Sequence, residues 1–364
     1  MPLPHIRLNM IVKNEAKVIE RCLASIKPWI HSWVIVDTGS TDGTQNIIET
    51  FMCDIPGKLI ERPWINFGHN RTEALQLAIQ SDLPPADYLM FIDADEVLEI
   101  EENFKWQELS NSGYFFTCKY DGMQYQRNAL VSTKFDWKWV GVLHEYLQCQ
   151  KPHYWESLKG VNIIIQHDGA RGKSADTYLK DIETLKQGLL EEPNNTRYLF
   201  YLAQSYRDAG FLKESREFYL KRMISGGWEE ERWVAQLYAA KLAVSLEMPH
   251  DVIYQELLSC WIQRQQRAEP LYELAKYYRN NKQFDLASYY AKQACEIHYP
   301  DQDILFVDQA VYEWAALDEL SVSASYCQNY KSAGYEAIQK LVKEHKFPRY
   351  EEKRILDNLR WYES

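Results

Sequence analysis

The chain has 364 residues, 46% of them apolar and 26% charged, which is enough for two domains that each bury a core. Its formal net charge of -11 argues against a general binder of nucleic-acid backbones, because that task needs clustered Lys and Arg. Seven cysteines (Cys22, Cys53, Cys118, Cys149, Cys260, Cys295 and Cys327) are scattered and form no CxxC, a pattern that suits a reducing compartment better than a disulfide framework or a zinc site. The start of the chain runs into a strand-like segment with no signal-peptide core, and no apolar run reaches the ~18 residues of a membrane span. A cytoplasmic location with no membrane span is therefore expected.

In chain order, IRLNMIV (6–12) reads as a first strand, and NEAKVIERCLASI after it places Val18, Ile19, Cys22, Leu23 and Ile26 on one helical face. WVIV (33–36) is a second strand and ends on Asp37. The turn behind it needs Gly39 for its backbone freedom, and Ser40 or Thr41 can cap the next helix, but neither needs Asp37. A carboxylate there points to a donor that binds it. NRTEALQLAI (70–79) is again helical, with Ala74, Leu75, Ala78 and Ile79 on one face. YLMFI (88–92), GYFFTCKY (113–120) and VNIII (161–165) read as further strands. Alternating strands and helices imply an α/β domain with a mostly parallel, Rossmann-like sheet, whose ligands bind beyond the carboxyl ends of the strands.

Asp37 stands at such an end, and so do Asp93 and Asp95 in YLMFIDADE. Two aspartates so spaced are a weak signal alone, but Glu96 follows and a buried strand precedes them. Clustered carboxylates stay ionised cheaply when a cation shares the site, and hard oxygen ligands suit Mg2+ or Mn2+. The alternative is a capped strand end with solvated acids.

From about residue 174 the pattern is helical almost throughout. Residues 199–219 (LFYLAQSYRDAGFLKESREFY) align without a gap on 271–291 (LYELAKYYRNNKQFDLASYYA), sharing Leu-Ala at 202–203 and 274–275 and Tyr at 206 and 278. This resembles the paired helices of tetratricopeptide repeats. A poorly marked middle repeat is expected at 231–265 and a degenerate one near Trp314, with Pro193 and Pro270 where helix pairs start. The expected division is 1–170 catalytic domain, 171–192 linker segment and helix, and 193–364 helical repeats.

VDTGSTDGT followed some fifty residues later by FIDADE resembles a family 2 glycosyltransferase of the GT-A fold, as do MIVKNE (10–15), Asn70-Arg71 and GVLHE (141–145). Together these motifs cover about 6–170. In layout, with repeats attached, the chain is similar to bacterial peptide S-glycosyltransferases. The resemblance implies a metal-dependent, inverting transfer of a hexose from a nucleotide-sugar, UDP by family prevalence, with Mn2+ or Mg2+ as cofactor.

It also implies roles. Asn14, Glu15, Asp37, Gly39, Arg71, Asp93 and Lys173 form the expected nucleotide-sugar set; Asp37 accepts from base or ribose, and Arg71 is a positive fork near the phosphates. Asp95 ligates the metal directly, Asp93 bridges to metal or ribose, and His167, after the last strand, completes the metal site unless it is only bonded to backbone. Arg171 or Lys173 clamps the diphosphate. Glu145 takes the acceptor's proton, with His144 orienting it or serving instead. Trp137 and Trp139 suit either a sugar face or the core. The repeats imply a peptide or protein acceptor, or a homodimer interface. Alternatives are a transferase of cell-surface or lipid-linked glycan assembly with a carbohydrate acceptor, and an inactive repeat scaffold.

Overall fold

The structure, a computed structural model, describes residues 4–102, 104, 109–120, 123–171 and 175–363. Lys173 lies outside the described residues. The chain divides into two compact units, Met1–Pro193 and Asn194–Ser364.

In the first unit the strands are β1 (Ile6–Val12), β2 (Ser32–Asp37), β3 (Gly57–Glu61), β4 (Tyr88–Phe91), β5 (Glu96–Ile100), β6 (Gly113–Tyr120), β7 (Met123–Ser132), β8 (Lys138–Val140), β9 (Tyr146–Gln148) and β10 (Trp155–Ile165). The helices are α1 (Ile19–Ile26), α2 (Thr44–Phe51), α3 (Phe67–Ile79) and α4 (Ala175–Glu191). Eight strands form one mixed sheet in the order β3-β2-β1-β4-β7-β6-β10-β5, and β8 and β9 form a separate hairpin. β3, β2, β1 and β4 run parallel, β7 is antiparallel to both neighbours, and β10 is parallel to β6 and antiparallel to β5. The α/β fold with a mostly parallel sheet at its N-terminal half is as expected.

Both faces of the sheet are covered, so the central strands are apolar on both sides. Leu8, Met10, Ile35 and Met90 join α1 and α2 in one cluster. Val34, Leu89 and Phe91 point the other way, onto Leu75 and Ala78 of α3. Ile79, expected on that face, is 38% exposed. The α3 face of β1 carries two buried polar side chains, Arg7 and Asn9. Asn9 Nδ2 donates to the Ala74 carbonyl at 2.9 Å. Arg7 donates to the carbonyls of Ala78 and Pro84 and, through Nε, to Ser32 Oγ at 2.9 Å. One guanidinium thus satisfies carbonyls at and beyond the C-terminus of α3, where the helix leaves them without partners.

The second unit is helical. The pairs are α5 (Thr196–Asp208) with α6 (Leu212–Ile224), α7 (Glu229–Ser245) with α8 (His250–Gln263), and α9 (Glu269–Asn280) with α10 (Phe284–Cys295). A π-helical turn over Val311–Ala315 leads into α11 (Ala316–Ala324), then α12 (Lys331–Glu344) and α13 (Glu352–Glu363). The middle repeat expected at 231–265 is the α7/α8 pair, and the degenerate one near Trp314 is α11/α12. The shared Leu202, Ala203, Leu274 and Ala275 are fully buried, and so are the small residues Ser215 and Ala287 facing them on the second helices. Ser215 Oγ donates to the Ala203 carbonyl at 2.7 Å, so smallness at these positions is set by the close approach of paired helices. Pro270 falls in the first turn of α9, and Pro193 just precedes Asn195, whose side chain caps α5.

Arg7→Met keeps the stem of the side chain and removes its donors. It is expected to lower stability by about 1–3 kcal/mol in urea titration, the cost of leaving buried carbonyls unpaired. An unchanged midpoint would mean that the end of α3 finds other partners.

Candidate functional site

The parallel register sets Val12 beside Asp37 and Asp37 beside Glu61, with β4 on the other side of β1. The carboxyl ends of β1, β2 and β4 therefore deliver Asn14, Asp37 and Asp93 to one edge. Asp37 is fully buried. Its Oδ1 accepts the backbone N–H groups of Gly39 and Ser40, each at 2.8 Å, so the turn does use one oxygen of this carboxylate. Gly39 makes this possible with φ at +104°, a backbone region open to glycine. Oδ2 is buried and has no hydrogen-bond partner. An acceptor left in that state costs about 1–3 kcal/mol, which a donor at that oxygen would recover.

Asn14 ties β1 to this turn. Its N–H donates to Ser40 Oγ and its Oδ1 accepts from the Thr41 N–H, both at 2.8 Å. The Glu15 N–H donates to Thr44 Oγ1 at 2.8 Å, at the start of α2. Asn14 thus acts on the backbone of the loop that carries Asp37, and the Glu15 carboxylate points elsewhere: Oε2 accepts the Ala170 N–H at 3.1 Å.

At the end of β4, charges of alternating sign form a chain. Arg71, on α3, places Nη2 2.6 Å from Asp93 Oδ1 and Nε 2.5 Å from Glu145 Oε1, the latter a charge contact without hydrogen-bond alignment. Arg127, on β7, lies 3.7 Å from Asp93 Oδ2 and grips Glu96 with both terminal nitrogens, at 2.7 and 2.5 Å. Glu96 Oε2 also accepts the Asp93 N–H at 2.9 Å. Burial pushes the Asp93 carboxyl up, but Arg71 and Arg127 outweigh it and hold the group below its ordinary value. Glu96 goes the other way: burial raises it against the pull of Arg127. The counter-charge at Asp93 is thus supplied by guanidinium groups.

Asp95 lacks that compensation. Burial and then the Asp93 charge raise its carboxyl above the ordinary value. Gly169 lies so close that a Cβ there would sit 3.0 Å from the Asp95 carboxylate. Asp168 beside it is held bidentately by Arg21, at 2.8 and 2.6 Å, and Arg21 also reaches the Asp95 carbonyl at 3.3 Å. Glu15 shares the deficit: burial raises it to about 7, against the Ala170 N–H and with Asp95, Asp93 and Asp42 adding to the rise. His167 packs edge-on against Tyr120, with ring centroids 4.4 Å apart. Among the described residues, no three His, Cys, Asp or Glu side chains converge as a ready metal cage.

Among the described residues of the first unit, three non-glycine ones have left-handed backbone: Asn14 (φ +57°), His144 (φ +51°) and His167 (φ +54°). Such conformations concentrate at functional sites because surrounding structure must enforce them. All three had been singled out from sequence. His144 is exposed, in the turn between β8 and β9. Glu145, expected to face the acceptor, faces Arg71 instead, with its side chain only 10% exposed. Trp137 is buried in the core beneath the hairpin, and Trp139 packs under the Arg71 guanidinium at 5.3 Å. Neither is an open sugar platform. Arg171 pairs with Asp181 at 2.5 Å and lies over the Phe67 ring.

Sequence reasoning missed Arg127 and the Arg21–Asp168 pair. Arg127 is one basic residue in the strand-like MQYQRNALVS, 31 positions from the acid it grips, and local spacing cannot connect the two.

Residues 9–105, within the N-terminal unit, match the model of Glycosyl transferase family 2. Over 244 residues the chain is 28% identical to the SPbeta prophage-derived glycosyltransferase SunS of Bacillus subtilis, covering 61% of this chain and 54% of SunS. The chain thus spans about half the length of that relative. It is 26% identical over 330 residues to a TPR repeat-containing protein of Synechococcus elongatus, covering 80% of this chain and 75% of that one. The crystal structure of MamA overlays with a TM-score of 0.38 at 15% identity, over 47% of this chain and 93% of MamA.

A carboxyl raised by folding binds a proton that the unfolded chain has already lost, so it makes stability fall as pH rises between the two values. For Glu15 the window runs from 4.5 to about 7. Glu15→Gln removes this penalty. Its stability relative to the wild type should therefore increase through that window, read from thermal unfolding at a series of pH values. A difference that stays constant with pH would show that Glu15 is not short of counter-charge.

Proposed function

We propose that the chain transfers a sugar, a hexose carried on UDP, to a peptide or protein acceptor, with inversion at the anomeric carbon. The observation that carries this reading is the unpartnered Asp37 Oδ2, buried at the end of β2 beside the acids that end β4. A nucleoside presents the N–H or O–H donor which that oxygen lacks. The family match over 9–105 and the name of SunS, a glycosyltransferase, support the same chemistry. The peptide acceptor is supported by the attached helical repeats, an architecture that normally presents binding surfaces.

The acids around Asp95 fit a divalent cation that arrives with a diphosphate, since such ions are held by one or two carboxylates plus phosphate oxygens rather than by a full protein cage. Asp95, with His167 and Asp93 nearby, would hold it, and when bound it supplies positive charge to the departing diphosphate. The chain's own residues do the rest. Asn14 and Gly39 shape the turn that offers Asp37 to the nucleoside. Arg71, already oriented by Glu145 and Asp93, adds a fixed positive group beside the phosphates, and Arg171 or Lys173 is the further clamp on the diphosphate. The acceptor nucleophile attacks the anomeric carbon as the bond to the diphosphate breaks, with no covalent enzyme intermediate. Its proton goes to His144, exposed on the hairpin turn, while Glu145 acts as a positioning residue for Arg71.

Asp37→Asn retains an oxygen for the Gly39 and Ser40 amides but puts an NH2 where the free acceptor stood. UDP affinity should fall about ten- to hundredfold by calorimetry, corresponding to one charge-assisted hydrogen bond of ~1.5–3 kcal/mol. Unchanged affinity would remove Asp37 from the nucleotide site. Glu145→Gln separates two roles. As a positioning residue, its loss lowers UDP affinity and transfer rate together; a general base would leave binding intact and cost about 10²–10⁴ in kcat alone.

A further inference from the structure

Between α10 and the π-helical turn, residues 299–308 (YPDQDILFVD) run back over the first helices of the three preceding pairs. The way they are held is that of a bound peptide. Glu230, in the first turn of α7, accepts the Ile304 and Leu305 N–H groups through Oε1, at 2.8 and 2.7 Å. Arg267, fully buried at the start of α9, donates to the carbonyls of Leu305 and Phe306, at 3.4 and 3.1 Å. These contacts read main chain and not side-chain identity. Two side chains supply selectivity. Asp303 is gripped bidentately by Arg264, at 2.7 and 2.6 Å, and lies 3.3 Å from Arg267. The Phe306 ring stacks on Phe200 of α5, nearly parallel (9°) at 6.1 Å.

Phe306 takes this place with φ at +46°, a conformation unfavourable for an aromatic residue and sustained by its surroundings. Ile304 between the anchors is 63% exposed, while Asp303 and Val307 are buried at 5% and 9%, so the segment docks by alternate side chains and leaves others in solvent. Main-chain clamps, an arginine pair for one acid and a ring platform are the elements of peptide recognition by charge and stacking.

We propose that this face is a peptide-recognition surface for a turned segment bearing an aspartate followed three residues later by an aromatic, and that residues 299–308 fill it in cis. The tether gives the resident segment a high effective concentration, so a free peptide competes poorly until the resident is weakened. The proposal rests on the second unit alone, and its failure would leave the glycosyl-transfer reading untouched.

The probe is a labelled synthetic peptide of sequence YPDQDILFVD. The full-length double variant Asp303→Ala/Phe306→Ala should bind it at least tenfold more tightly than the wild type by fluorescence anisotropy. A peptide with both anchors changed to alanine should bind neither protein. In the wild type, saturating peptide should speed hydrogen exchange at the Ile304, Leu305 and Asp308 amides, which displacement exposes. A variant with wild-type melting temperature that gains no affinity overturns the proposal. Should that variant fail to fold, exchange rates in the wild type that do not respond to the peptide overturn it equally.

Discussion

The first unit's site is organised by one run of alternating charge, Glu145–Arg71–Asp93–Arg127–Glu96, contributed by the hairpin turn, α3, the end of β4, β7 and β5. Each guanidinium lies between two carboxylates, and Asp93 lies between two guanidiniums. In a half-buried setting such pairs are weakly screened, and removing one member leaves its neighbours' desolvation uncompensated. The run therefore behaves as a unit. It fixes where Asp93 stands, and with it the backbone that turns Asp95 toward Gly169. A site organised this way meets a ligand with its dipoles already in place, which is how electrostatic stabilisation avoids reorganisation during reaction.

Beside this compensated scaffold stands a deficit. Asp95 and Glu15 are both raised, chiefly by burial and with the Asp93 charge adding to the rise at each, and Asp37 keeps one oxygen without a donor. Scaffold and deficit are adjacent but differently solved: the acids that hold the fold carry their partners with them, and Asp95, Glu15 and one oxygen of Asp37 do not. The left-handed backbone of Asn14 and His167 lies on the same edge, at the exits of β1 and β10. Strain and unmet charge thus coincide on one edge of the sheet.

The second unit uses charge for a different purpose. Arg267 is fully buried, yet it is met by Glu269 at 2.8 Å, by Asp303 at 3.3 Å and by Trp233 under its face at 4.5 Å. Apolar helices could pack more cheaply than such a cluster. What the cluster adds is direction: it selects one acid and one stretch of main chain out of the long connection after α10, and seats them on the repeat face.

Much of this was legible in the sequence because the signals are local. Short apolar runs and period-3.6 patterns placed β1, β2, β4, α1 and α3, the 72-residue offset placed the repeats, and strand ends loaded with Asp37, Asp93 and Asp95 marked the edge of the candidate site. Side-chain partnerships were not legible, since they depend on which strands lie side by side. β7 inserts between β4 and β6, which brings Arg127 to Asp93; the hairpin of β8 and β9 packs on α3, which turns Glu145 onto Arg71. A motif can show that an acid stands at a strand end, but whether it meets an arginine, a metal ion or water is decided by neighbours distant in sequence. Tertiary structure alone divided the acids into those already paired, Asp93, Glu96 and Glu145, and those left short of positive charge, Asp95 and Glu15. The physical reason is that Coulomb interactions depend on separation in space, and sequence fixes that separation only through the completed fold.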